Sequence, residues 1–206
     1  MDRWCTDFDP NRHVSTKPPE GRGWRVVVGV DYGFQPGKMS SSLLAVRNGH
    51  TVSPEVCYWD EAAAAEDVVW TMQDLTAQIL KMIARNGLTY DDVDEWVGDR
   101  SAEGRSGKVS NRDLQANLAA ALGRQWSQVK GISVPRKGAN SVAYGVGVMN
   151  AIFARDNAWV HPRCTGLIQF LSHFSGDKRD PVKDQGDSAR YALLQLCDTN
   201  AWYKAV

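Results

Sequence analysis

Four aspartates stand where a carboxylate is costly unless something neutralises it. Asp31 closes the apolar run Arg25–Asp31 (RVVVGVD), and Asp99 directly follows Trp96-Val97-Gly98. Asp184 and Asp187 lie in the segment KDQGDSARYALLQL, spaced so that both can share one helical face. An ionised carboxylate at the end of a buried strand must be solvated, paired or metal-bound. Taken singly, each acid could equally cap a loop or favour a helix N-terminus. Taken as an ordered set, they point to one cluster. Clustered carboxylates repel unless cations neutralise them, and hard oxygen donors select Mg²⁺ or Mn²⁺. Two such ions can direct in-line attack of water on a phosphodiester. Asp184 is the expected direct ligand, with Asp187 a second ligand or an outer partner that pairs with Arg190 or a lysine.

The elements around these acids must bring them together. Strands are predicted at Arg25–Asp31, Ser40–Val46 and Val52–Asp60, joined by short turns as an antiparallel meander. A helix is predicted over Ala62–Arg85, where Val68, Met72, Leu75, Ile79, Met82 and Ile83 recur at helical spacing before Gly87. Strands then alternate with helices: Asp94–Gly98, helix Asn111–Leu122, Gly131–Pro135, helix Ser141–Arg155, Ala158–Val160, helix Arg163–His173 and helix Asp184–Cys197. This order predicts an α/β domain with a mixed sheet, whose first three strands are antiparallel and whose later strands are parallel. Sites in such sheets form at the carboxyl ends of the strands, which is where Asp31 and Asp99 sit.

Composition limits the alternatives. The chain has 206 residues, 43% hydrophobic and 23% charged, enough for one large domain. Residues 1–23 are polar and rich in Pro and Gly and read as an arm or linker; residues 24–206 read as the domain. Lys plus Arg and Asp plus Glu both number 24, so any nucleic-acid contact must come from a local basic face. Arg100, Arg105 and Lys108 in the loop after Asp99 are candidates for phosphate contacts, with Arg136, Lys137 and Lys183 extending the rim. The loop GRSGKV (104–109) is too short in its glycine spacing for a nucleotide-phosphate loop, and Val109 replaces the metal-holding Ser or Thr. His161 and Cys164 lack a second ligand pair for zinc. The cysteines Cys5, Cys57, Cys164 and Cys197 are widely spaced and fit reduced thiols. No apolar run spans a bilayer, and the N-terminus lacks the apolar core of a signal peptide. The tryptophans fall mostly in or beside predicted elements and read as packing residues.

The segments VVVGVDYG, WVGDRSAEG, KGANSVAYGVGVMNAIF, WVHPRCTGLIQFLSHF and KDQGDSARYALLQL resemble the nuclease domain of tailed-bacteriophage large terminase subunits. The resemblance covers about Arg25 to Leu196. Its most specific part is the closing D-x-x-D-S-x-R-Y of Asp184, Asp187, Ser188, Arg190 and Tyr191. The resemblance implies a ribonuclease-H-like fold and two Mg²⁺ or Mn²⁺ ions. It further implies cutting of concatemeric double-stranded viral DNA in the host cytoplasm. Implied partners are a terminase ATPase domain, the small terminase subunit and the portal protein. Asp31, Asp99, Asp184 and Asp187 are then both metal ligands and catalytic residues. Readings from other classes are a Holliday-junction resolvase of the same fold, a phosphate-binding hairpin of the actin or sugar-kinase type at Asp31-Tyr32-Gly33, and a non-catalytic docking module.

Overall fold

A strand that is apolar at successive positions needs a covering layer on each side, because its side chains alternate between the two faces of the sheet. β1 (Arg25–Asp31) is such a strand, with Val27, Val28 and Val30 fully buried. The computed structural model, which describes residues 3–33, 35–49, 54–99, 111–135, 142–177 and 182–197, supplies both layers. β2 (Ser40–Arg47) pairs antiparallel with β1, and β3 (Glu55–Ala63) antiparallel with β2. β4 (Glu95–Gly98) adds in parallel to the other side of β1, and β5 (Ile132–Ser133) in parallel to β4. β6 (Ala158–Val160) runs parallel to β3, giving a six-stranded sheet in the order β5-β4-β1-β2-β3-β6. The mixed α/β sheet expected from the sequence is therefore present, with an antiparallel meander at its centre.

Alternation along the strands divides the core in two. Val28, Val30, Leu43 and Trp96 face α2 (Met72–Arg85) and α3 (Asn111–Leu122). Val27, Leu44, Tyr58 and Val97 face α4 (Val142–Phe153), α5 (Thr165–His173) and α6 (Lys183–Leu196). Each fully buried valine or leucine contributes on the order of 1.5–3 kcal/mol relative to exposure.

The helix expected over Ala62–Arg85 begins ten residues later than its apolar spacing suggested. Ala62 and Ala63 complete β3, and Val68 is 39% exposed. The start is fixed by a capping box. Asp74 N donates to Thr71 Oγ1 at 3.1 Å, and Thr71 N donates to the Asp74 carboxylate at 2.9 Å. The reciprocal pair satisfies two amide donors that a helix starting here leaves without intrahelical partners. The strand expected over Gly131–Pro135 shrinks to Ile132–Ser133 at the sheet edge.

The N-terminal residues, polar by composition, lie against the domain. α1 (Pro10–His13) is capped by Asp9, and Val14 bridges to Val160 at the edge of β6. Cys5 and Phe8 are fully buried in the core beside α4, α5 and α6. All four cysteines are buried and free. No described helix is long and apolar enough to cross a membrane.

Candidate metal centre

Asp31 is the last residue of β1, and parallel pairing sets Val30 beside Gly98 of β4. Asp31 ends β1 and Asp99 directly follows β4, so both acids come to the carboxyl edge of these paired strands and line one cavity. α6 packs over β1, β2 and β4 and brings its first turns to that edge. The approach is close because small residues line the contact. A Cβ on Gly29 would overlap the Ser188 carbonyl oxygen. The Ser42 and Ser188 hydroxyls lie 2.7 Å apart, and Ser40 Oγ donates to Ser188 Oγ at 3.3 Å. Larger side chains here would lift α6 from the sheet and carry its acids away from Asp31.

In this arrangement Asp31, Asp184 and Asp187 each offer a carboxylate oxygen, and these atoms lie within 4.8 Å of one another. Asp99 lines the same cavity of about 400 Å³, with Tyr32, Gly33, Gln35, Lys38, Lys183 and Tyr191. Burial, and then the charges of Asp187, Asp99 and Asp184, push the Asp31 carboxyl well above the usual carboxylate range; Lys183 opposes the shift. Among the described residues none donates a hydrogen bond to the Asp31 side chain.

The two acids of α6 differ. Asp184 is 30% exposed and pairs with Lys38 Nζ at 2.9 Å. Asp187 is 2% exposed. Arg190 Nε and Nη2 donate to its Oδ1 at 3.1 and 2.9 Å, and Lys183 Nζ donates to Oδ2 at 2.7 Å. Arg190 is itself buried. It is pressed against Gly145 of α4, where a Cβ would overlap its side chain, and lies 4.7 Å from the Tyr191 ring. Burial lowers the Lys183 pKa, but the charges of Asp187, Asp184 and Asp31 outweigh it and the net shift is upward.

An all-carboxylate donor set with one desolvated, unbonded member fits a hard divalent cation such as Mg²⁺ or Mn²⁺. Among the described residues it is the one such group. His161 and Cys164 form none: His161 Nδ1 accepts from Arg163 N at 3.1 Å, and the buried Cys164 thiol donates to the Tyr58 carbonyl at 3.4 Å.

Of the residues expected to meet DNA, Lys183 lies in the cavity wall. Arg100, Arg105, Lys108, Arg136 and Lys137, and the loop 104–109, fall outside the described residues. Lys38 was missed by sequence reasoning. Its signal was present: a lysine just after Gly37, in the turn that returns β1 to β2. Gly37 has φ +71°, and Gly33 packs so closely on Lys38 that a Cβ would overlap its backbone.

Sheet order and flanking helices define a ribonuclease-H-like α/β fold. Among solved structures that fold is shared with the large terminase of a thermophilic bacteriophage, at TM-score 0.64 and 16% identity over 94% of this chain. It is also shared with the P22 large terminase nuclease domain, at TM-score 0.64 and 13% identity, covering 94% of this chain and 91% of that one. The chain spans 45% of the length of the thermophilic phage's protein. No protein-family model and no curated protein sequence matches the chain.

Proposed function

We propose that the chain is a metal-dependent endodeoxyribonuclease domain of the large-terminase type, cutting double-stranded viral DNA during genome packaging. The observation that carries this reading is the convergence of Asp31, Asp184 and Asp187 at the carboxyl edge of the sheet, with donor atoms within 4.8 Å of one another. The likeness in fold to the P22 nuclease domain over nearly its whole length supports it.

In this reading Asp31, Asp99, Asp184 and Asp187 hold two Mg²⁺ or Mn²⁺ ions. Bound there, the ions would activate water and offset charge on the phosphodiester. The protein's own residues do the rest. Asp31, on the rigid central strand, fixes the centre of the site. Arg190 holds the Asp187 carboxylate in one orientation through two donors on one oxygen. Lys38 and Lys183 offer cations on the cavity wall to substrate phosphates, and Arg100, Arg105, Lys108, Arg136 and Lys137 are further proposed phosphate contacts. An ATPase domain, a small terminase subunit and a portal protein are the proposed partners, and the host cytoplasm the proposed place of action.

The test is conversion of supercoiled plasmid by the purified chain. Cleavage in Mn²⁺ that stops in chelator, and is absent from Asp31→Asn, is the expected result. No cleavage in Mn²⁺ by the well-folded chain would favour a docking role. Strong preference for four-way junctions would favour a resolvase.

A further inference from the structure

The carboxylate cluster already contains a cation. Lys183 Nζ lies 2.7 Å from Asp187 Oδ2 and 3.6 Å from Asp184 Oδ1. Oδ1 of Asp187 is taken by Arg190, so Oδ2 is the oxygen that it can turn to a metal, and Lys183 holds that oxygen. A divalent ion on these aspartates and the Lys183 ammonium therefore compete for the same atom.

Helix stability does not explain the lysine. It is the first residue of α6, where a positive charge opposes the helix dipole. It also stands on the N-terminal side of its i,i+4 partner, the weaker of the two orientations for such a pair. The two cations on Asp187 are built differently. Arg190 is 1% exposed and wedged between helices, so it cannot leave. The Lys183 side chain is 20% exposed, on a flexible four-carbon stem with room to swing into the cavity.

We propose that Lys183 is a resident counter-ion. It occupies the metal's place on Asp187 in the ion-free protein and is displaced when a divalent cation binds. This inference rests on the metal-centre reading above. It makes Lys183 a positioning residue, which keeps the acids gathered until the ion arrives.

Calorimetric titration of the whole chain with Mn²⁺ alone tests the competition. The comparison is wild type, Lys183→Met and, as a control for net charge, Lys81→Met on the exposed face of α2. Lys183→Met is expected to bind Mn²⁺ roughly tenfold more tightly than Lys81→Met, the size of a typical coupling between two ligands. Lys183→Gln replaces Lys183→Met if the latter does not fold. In the wild type, Mg²⁺ should move the Lys183 side-chain methylene resonances with the midpoint of saturable binding. Saturable Mn²⁺ binding with equal affinity in Lys183→Met and Lys81→Met, or Lys183 resonances unmoved at saturation, overturns the counter-ion role alone. Absence of Mn²⁺ binding in both wild type and Lys183→Met overturns the metal centre with it.

Discussion

Asp31 and Asp60 are both carried into the sheet on apolar strands, and they meet opposite surroundings. Asp60 of β3 is fully buried. Arg85 grips it through Nε and Nη2 at 2.6 Å each, Asn86 Nδ2 donates at 2.6 Å, and Arg163 Nε stands at 3.5 Å. The Glu61 amide adds a further donor at 2.9 Å. The next residue is also hydrogen-bonded from within, though burial still holds its pKa above the ordinary value. Glu61 accepts from the Gly166 and Leu167 amides at the start of α5, at 2.5 and 3.0 Å. Asp31 has no such donors among the described residues, and three further aspartates act on it. A buried carboxylate whose charge is met from within closes a structure. One that is crowded by its own kind calls for a cation from outside.

The sharpest way to break this contrast is to neutralise each acid in turn. Asp31→Asn should lower Mn²⁺-dependent plasmid cleavage by about 1000-fold or more, since an amide cannot offset a divalent charge, and should leave the fold intact. Wild-type rates in that variant would place Asp31 with the structural acids. Within α6 the two acids should separate. Asp184→Ala should eliminate single-turnover cleavage, whereas Asp187→Asn, which loses the charge but keeps an oxygen donor, should cost about 10–100-fold, no more than an outer partner of the metal would. The reverse order would make Asp187 the principal ligand.

Asp60→Asn should leave cleavage per folded molecule unchanged and destabilise the protein by about 3 kcal/mol. It strips a buried ion pair of its anion while Arg85 and Arg163 retain access to water. Denaturant unfolding measures the loss, and a neutral result would remove Asp60 from the group of structural acids.

The smallest effect concerns pH. The Asp31 pKa is raised in the folded state, so the folded protein binds this proton more tightly than the unfolded chain does. The resulting stabilisation is fully present below the ordinary carboxylate range and is lost as pH rises through the elevated value. At neutral pH, in chelator, Asp31→Asn should therefore melt a few degrees above wild type. The gap should close towards pH ~4, near the ordinary aspartate value. A gap that widens on acidification would contradict the shift. Adding Mn²⁺ at neutral pH should raise the wild-type melting temperature more than that of Asp31→Asn, because binding stabilises only the state that binds.

Much of this was legible in the chain itself. The apolar runs ending at Asp31 and Gly98 specify strands, and the alternation along them requires cover on both faces, as found for Val27 and Val28. The acids that follow those runs are marked by the cost of burying charge, which is a local property. The capping box at Thr71 and Asp74 was also written in the sequence. It starts the helix after Val68, which extends the apolar spacing but is 39% exposed.

What the sequence alone could not decide is who neutralises whom. Asp60 and Asp31 have the same local setting, an aspartate following apolar residues. Asp60 is met by Arg85, Asn86 and Arg163, which only the packing of α2 and the turn before α5 brings to it. Asp31 is met by aspartates of α6, far along the chain. The contact of Gly29 with Ser188 sets how closely that helix approaches the sheet. Charge acts through space, over a few ångströms, and the order of residues along the chain does not fix that distance until α6 has docked.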